Sequence, residues 1–241
     1  MSLFSRKQSD KPKIKTCAAV LVAAGSATRM EGIDKVMAPI GGEPMLLRAA
    51  RAFQENPYIS QIVIVTREEL LEQVFRLCLD AGLDKVTKMV TGGETRTESV
   101  LCGLNVLGKD VKLAAVHDAA RPLVSQQVIT DAVLKASEVG AAAPAIPVKD
   151  TIKQADKYRV VVKTPPRDEL CAVQTPQVFD LDFIRCALYQ AVQEGWSLTD
   201  DCMAAEKLGM KVHLTAGSEE NFKVTTPLDL RLANLLWEAR T

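Results

Sequence analysis

The feature that most constrains this chain is a regular alternation of short apolar, β-rich runs with stretches of helical periodicity. Strand patterns over Thr16–Val22, Gln61–Thr66, Lys85–Val90 and Lys112–Val116 are separated by helical patterns over Pro44–Gln54, Glu68–Ala81 and about Thr97–Leu107. Ser125 then reads as the N-cap of a helix carrying Val128, Ile129, Ala132, Val133 and Ala136, with Gly140 as its stop. Strands that alternate with helices imply a mostly parallel sheet covered on both faces, an α/β fold. The 241 residues, 47% of them hydrophobic, suffice for one such domain and its core.

The alternation breaks between Pro147 and Cys171. Val148–Lys153 and Arg159–Lys163 give two short strand signals with no helix between them, and Pro165-Pro166 follows. This reads as an inserted β-hairpin arm over residues 147–171. Helices are expected after Asp180 and Thr199, a strand over Lys211–Leu214, and a last helix from Thr226-Pro227, a cap followed by proline at the first helical position. Residues 1–15, polar and basic, read as a flexible tail, leaving 16–241 as the folded domain.

Several function classes are disfavoured by composition. The 30 basic and 30 acidic residues cancel, so no overall field recommends a nucleic acid or an anionic membrane. No apolar run is long enough to span a bilayer. Six cysteines without a C-x-x-C pair, and no secretory apolar segment near the start, point to reduced thiols and a cytoplasmic setting. With two histidines, His117 and His213, a histidine-rich metal cluster has too few ligands.

In a parallel sheet, ligands bind beyond the carboxyl ends of the strands. Three strand-end loops carry chemistry there. The first, Ala23-Ala24-Gly25-Ser26-Ala27-Thr28-Arg29-Met30, offers backbone N–H groups, Arg29 and, farther on, Lys35 as a polyphosphate cradle. Its single glycine fits neither G-x-G-x-x-G nor G-x-x-x-x-G-K-[ST], and taken alone it reads more readily as an ordinary strand-to-helix turn with a solvated Arg. The second, Thr91–Ser99, pairs Gly92 and Gly93 before a helix start, either for close approach to a base or phosphate or as a turn with a Thr95/Glu98 capping box. The third, His117-Asp118-Ala119-Ala120-Arg121-Pro122, puts an acid and a cation at a strand end, where Asp118 alone could anchor a magnesium ion bridging phosphates. His117 reads as a partly buried residue closing the strand.

Together these segments resemble the 2-C-methyl-D-erythritol 4-phosphate cytidylyltransferase family of the non-mevalonate isoprenoid pathway. The resemblance runs from Ala18 to about Ala233. It is carried by A-A-G-x-x-x-R-M with a following Lys, G-G-x-x-R-x-x-S-V at 92–100, H-D-A-A-R-P at 117–122 and P-V-K-D-T at 147–151. A-V-Q-T-P-Q at 172–177, T-D-D at 199–201 and N-F-K-V-T at 221–225 complete it. Ala27, and Asp34-Lys35-Val36, stand where the family usually has a second glycine and Pro-Lys-Gln.

The resemblance implies a Rossmann-like, GT-A-like nucleotidyltransferase fold, a magnesium cofactor, and a homodimer in which each arm reaches the other subunit's site. It implies that Arg29, Lys35 and Lys223 act on the CTP phosphates, and that Ala23, Ala24, Gly25, Gly93, Glu94 and Ser99 border the nucleotide, with Arg96 supporting their loop. Asp118 is expected at magnesium and substrate. Arg121, Thr151, Thr199, Lys223 and Arg167 of the partner subunit are expected around a sugar-alcohol phosphate. Ribitol 5-phosphate is the alternative acceptor, and a non-catalytic nucleotide sensor the alternative of another class.

Overall fold

The computed structural model describes residues 15–25 and 34–240. Its first elements are β1 (Cys17–Val22), a 3₁₀ turn at Lys35–Met37, a small hairpin of β2 (Pro39–Ile40) and β3 (Glu43–Pro44), α1 (Met45–Glu55) and β4 (Ile59–Thr66). A second 3₁₀ turn leads into α2 (Leu71–Asp80), then β5 (Val86–Thr91), α3 (Arg96–Asn105), β6 (Leu113–Asp118), α4 (Gln126–Val139) and β7 (Ala141–Pro147). After these come β8 (Gln154–Ala155), β9 (Val161–Lys163), β10 (Cys171–Val173), β11 (Gln177–Asp180), α5 (Leu181–Gln193), α6 (Asp201–Lys207), β12 (His213–Ala216) and α7 (Pro227–Glu238). The expected tail, apart from Lys15, and the expected phosphate-binding Arg29 lie outside the described residues.

The main sheet has eight strands in the order β10-β7-β11-β6-β1-β4-β5, with β12 beside β7. The chain winds outward from β1 through β4 to β5, then returns to place β6 on the other side of β1. All of these pairings are parallel. Such a reversal opens a crevice beyond the strand ends. The register sets Val22, the last residue of β1, against Asp118, the last of β6, so the crevice has a carboxylate on its floor.

Successive β1 side chains enter different cores. Cys17, Ala19 and Leu21 pack on the face covered by α1 and α4, with Phe53 and Ile129; Ala18 and Val20 pack with Leu104 and Ile184 on the face covered by α3 and α5. Burial on both faces is why β1 is continuously apolar rather than alternating. Helix α3 reaches the sheet closely because Gly103 sits at the contact: a Cβ there would stand 2.5 Å from Val20 Cγ1 and 2.7 Å from Val65 Cγ2. Both valines are fully buried. Overpacking of about 1–3 kcal/mol outweighs the roughly 1 kcal/mol helix-propensity gain. Gly103→Ala is therefore expected to lower stability by about 1 kcal/mol, read as a lower urea midpoint; a raised midpoint would contradict this packing.

Two parts of the sheet depart from the sequence pattern. Residues 141–147 form β7, although Ala-Ala-Ala-Pro-Ala-Ile-Pro lacks the β-branched density of a strand; β12 pairs parallel with it and β10 and β11 antiparallel. Its extended shape comes from these neighbours. Strand β11 runs antiparallel to both β6 and β7, so the sheet is mixed, though mostly parallel. In the arm, the expected strands at 148–153 and 159–163 are shorter and shifted: β8 and β9 pair alone, antiparallel. The turn between them is set by Asp156, whose Oδ1 accepts from the backbone N–H of Tyr158 (2.9 Å) and Val160 (3.0 Å), with Arg159 at φ 64°.

Candidate active site

A cavity of about 400 Å³ opens at the ends of β1, β5 and β6. From β1 it takes Val22, Ala23, Ala24 and Gly25; Ala23 N–H donates to Val65 O at 2.7 Å, carrying the ladder one residue past the strand. From the β5–α3 loop it takes Gly93, Glu94, Thr95, Arg96 and Ser99. The capping box is present: Glu98 N–H donates to Thr95 Oγ1 (3.1 Å) and Thr95 N–H to Glu98 Oε2 (2.8 Å). The glycine pair serves protein packing as well. A Cβ on Gly92 would meet Ala24 Cβ at 2.4 Å, and one on Gly93 would meet Glu98 Cβ at 2.4 Å. Gly92 lets the two loops close on each other, and Gly93 lets its own loop fold against the start of α3.

Arg96, expected to support its loop, ties that loop to two other elements. Its guanidinium leaves its own loop and bridges two carboxylates. Nη1 and Nη2 form a bidentate pair with Asp201 (3.0 and 2.9 Å), while Nε and Nη2 both reach Asp118 Oδ1 at 3.2 Å. Lys223 Nζ stands 2.8 Å from Asp118 Oδ2. Burial disfavours charge on Arg96, but Asp201 and Asp118 raise its pKa above the ordinary arginine value. Asp118 is 7% exposed, and burial alone would raise its pKa. The cations Arg96 and Lys223 hold its carboxyl well below the usual carboxylate range. Desolvation pushes the Asp201 carboxyl, 1% exposed, upward, and the two Arg96 bonds oppose that.

Lys35 enters the cavity from the first 3₁₀ turn, whose cap is Asp34: its Oδ1 accepts from Val36 N–H at 3.2 Å, and its other oxygen pairs with Arg67. Lys35 and Lys223 thus supply amines where an anionic ligand would sit. The structure brings together Ala23, Ala24, Gly25, Lys35, Gly93, Glu94, Arg96, Ser99, Asp118 and Lys223. Four expected residues lie outside this lining. Arg121 turns its Nη1 to Asn221 O (2.7 Å); Thr151 and Thr199 are exposed; Arg167 Nη1 donates to Lys149 O (3.0 Å) at the base of the arm. Among the described residues, no cluster of three His, Cys, Asp or Glu could hold a metal by itself.

His117 is fully buried rather than partly so. Arg121 O, 3.1 Å from Nε2, can only accept, so Nε2 carries the proton, and Nδ1 accepts the Thr175 hydroxyl (2.9 Å), which in turn accepts Asp118 N–H at 3.2 Å. Desolvation lowers the ring's pKa to about 4. The unfolded ring titrates near ~6.5, so the unfolded chain binds the proton first and stability is lost as pH falls from ~6.5 toward 4. About 3 kcal/mol should disappear between pH 7.5 and pH 4 in urea titrations, and His117→Gln should flatten that slope. An equally steep slope in the variant would assign the loss to the carboxylates.

The family model of 2-C-methyl-D-erythritol 4-phosphate cytidylyltransferase matches residues 17–239. The chain belongs to this family. It is 43% identical over 219 residues to the 2-C-methyl-D-erythritol 4-phosphate cytidylyltransferase of Caldanaerobacter subterraneus subsp. tengcongensis, covering 90% of this chain and 96% of that one. Its counterpart in Halalkalibacterium halodurans is 41% identical, with 90% and 95% covered. The 4-diphosphocytidyl-2C-methyl-D-erythritol synthase structure from Anaerococcus prevotii aligns with a TM-score of 0.83 at 27% identity, covering 93% of this chain and 96% of its own. The Thermus thermophilus cytidylyltransferase structure aligns at 0.75 and 30%, covering 92% and 98%.

In this member of the 2-C-methyl-D-erythritol 4-phosphate cytidylyltransferase family, an acid and cations gather at the sheet's reversal point. Behind them lie buried polar residues. Asp201, Gln174, Gln177 and Asn221 are buried, and the sequence reading gives none of them a role. Gln177 is typical: its Oε1 accepts from the N–H groups of Asp201 (3.0 Å) and Cys202 (3.1 Å), and its Nε2 donates to Asp200 (2.9 Å), fixing the start of α6. Their sequence signal is their place in A-V-Q-T-P-Q, T-D-D and N-F-K-V-T, which attaches no role to them.

Proposed function

We propose that the chain transfers CMP from CTP to 2-C-methyl-D-erythritol 4-phosphate, giving 4-diphosphocytidyl-2-C-methyl-D-erythritol and pyrophosphate in isoprenoid precursor synthesis. The observation that carries this reading is the cavity holding Lys35, Lys223 and Asp118 in a chain of this family. An acceptor phosphate oxygen attacks the α-phosphorus, the bond from that phosphorus to the bridging oxygen breaks, and pyrophosphate leaves with the electron pair. The attacking monoester has a second pKa of about 6 and is mostly dianionic at neutral pH, so no general base is needed. Catalysis then consists of positioning and charge stabilisation. His117, enclosed and hydrogen-bonded on both nitrogens, is not called upon.

In this reading Lys35 and Lys223 flank the α-phosphate, and Arg29 holds the leaving pyrophosphate. Ala23, Ala24, Gly25, Gly93, Glu94 and Ser99 border the cytidine. Asp118 suits a magnesium ion: it lines the cavity, and among the described residues Oδ2 has one cationic partner where Oδ1 accepts two N–H groups, leaving Oδ2 a lone pair. A magnesium ion held by one carboxylate and substrate phosphates would neutralise phosphate charge. The acceptor is read by Lys223, Arg121, Thr151, Thr199 and Arg167 of the partner subunit, in a cytoplasmic homodimer that exchanges arms. The exposed Tyr158, Val160, Val161 and Val162 of the arm support that assembly.

Ribitol 5-phosphate is the acceptor to exclude, since the nucleotide half of the site would serve it equally. Pyrophosphate release from CTP, measured with each acceptor in turn, is expected to favour methylerythritol phosphate at least tenfold in kcat/KM, about 1.4 kcal/mol. Preference for ribitol phosphate would overturn the assignment.

A further inference from the structure

The loop that delivers Lys223 is fastened to the protein by a buried amide that does not touch the cavity. Asn221 is completely buried, and its Nδ2 donates to Gln174 Oε1 (3.1 Å) and to Thr175 O (2.9 Å). Gln174 completes the tie: its Nε2 donates to Ser218 O (2.8 Å), its Oε1 accepts Ser218 N–H (3.2 Å), and its own N–H donates to Pro144 O in β7 (2.7 Å). The loop lies so close to Gln174 that a Cβ on Gly217 would come within 2.8 Å of Oε1. Two bonds to the loop's backbone flank the lysine: the Arg121 side chain donates from Nη1 to Asn221 O (2.7 Å), and Val224 N–H donates to Ala120 O (2.8 Å). Thr175, whose carbonyl Asn221 holds, has its hydroxyl on Asp118 N–H. The carboxylate and the amine that meets it are therefore referenced to one backbone segment, Gln174-Thr175.

We propose that Asn221, with Gln174, is a positioning residue that sets Lys223 against Asp118 and the α-phosphate. The side chain acts by donation: Nδ2 has two acceptors, while Oδ1 is buried with no hydrogen-bond partner among the described residues. A loop freed from this tie keeps its lysine but not the lysine's placement, and errors of about 1 Å in a charge-stabilising group cost up to about a hundredfold in rate.

The inference rests on the role proposed for Lys223, and a double-mutant cycle separates the two. Asn221→Ala should lower kcat/KM for CTP turnover about tenfold or more in the otherwise unchanged chain, and less than twofold when Lys223 is already alanine. Gln174→Ala, which cuts the same tie from the other side, should give the same non-additive pattern and stands in if Asn221→Ala does not fold. Asn221 losses equal in both backgrounds, or no loss in either variant, would overturn the positioning role while leaving that of Lys223 intact. Full activity in Lys223→Ala alone would instead overturn the role of the lysine, and the inference with it.

Discussion

Lys223→Ala is expected to lower kcat by about a hundredfold at saturating CTP and acceptor, with little change in stability. Removing one fixed donor from a charge-stabilising site costs about 3 kcal/mol of barrier, because the remaining groups cannot rearrange to replace it. The fold should tolerate the change. The lysine side chain is 40% exposed, and its partner Asp118 retains both contacts to Arg96. The pair is solvated on its lysine side and Arg96 still compensates the buried Asp118, so the urea midpoint should move far less than on loss of a sole partner, while turnover collapses. Undiminished turnover in a folded variant would remove Lys223 from the mechanism.

Arg96→Ala should have the opposite profile in stability, losing about 3–5 kcal/mol at pH 7. Asp201 has no solvent to fall back on, and its bidentate bonds to Arg96 are what offset its burial. Removing one partner of a buried pair leaves the other charge uncompensated. The deficit should shrink as the pH is lowered, because a protonated Asp201 no longer carries a buried charge. Arg96→Met/Asp201→Asn should recover much of the loss, since removing both charges removes the penalty. A loss below about 1 kcal/mol in the single variant, measured by urea unfolding, would show that the pair does not bear on folding.

These two cations were equally visible in the sequence, yet their roles were not equally legible. Lys223 falls in N-F-K-V-T and arrives in the cavity as expected. Arg96 falls in a motif just as specific, but its partner Asp201 lies 105 residues away on a different element. Only the packed structure shows that its fork is occupied by carboxylates. The same distinction applies to the fold. Elements β1, α1, β4, α3, β6 and α4 are legible because their own side chains fill the two cores and their caps, Thr95 and Ser125, are local. β7 and β11 are not, since an alanine and proline run is held extended by neighbours distant in sequence. Gln174, Gln177 and Asn221 stand in the family motifs, but what they hold is not legible there: burial turns an ordinary amide into a structural tie, and burial is a tertiary property.

The central claim is group transfer between two phosphates at this cavity, and phosphorus NMR of the full chain with CTP, magnesium and methylerythritol phosphate tests it most directly. The account predicts that the acceptor's monoester resonance is replaced by two mutually coupled diphosphate signals, with one pyrophosphate formed per CTP consumed. Unchanged CTP, or release of CMP and pyrophosphate with the monoester left intact, would contradict it.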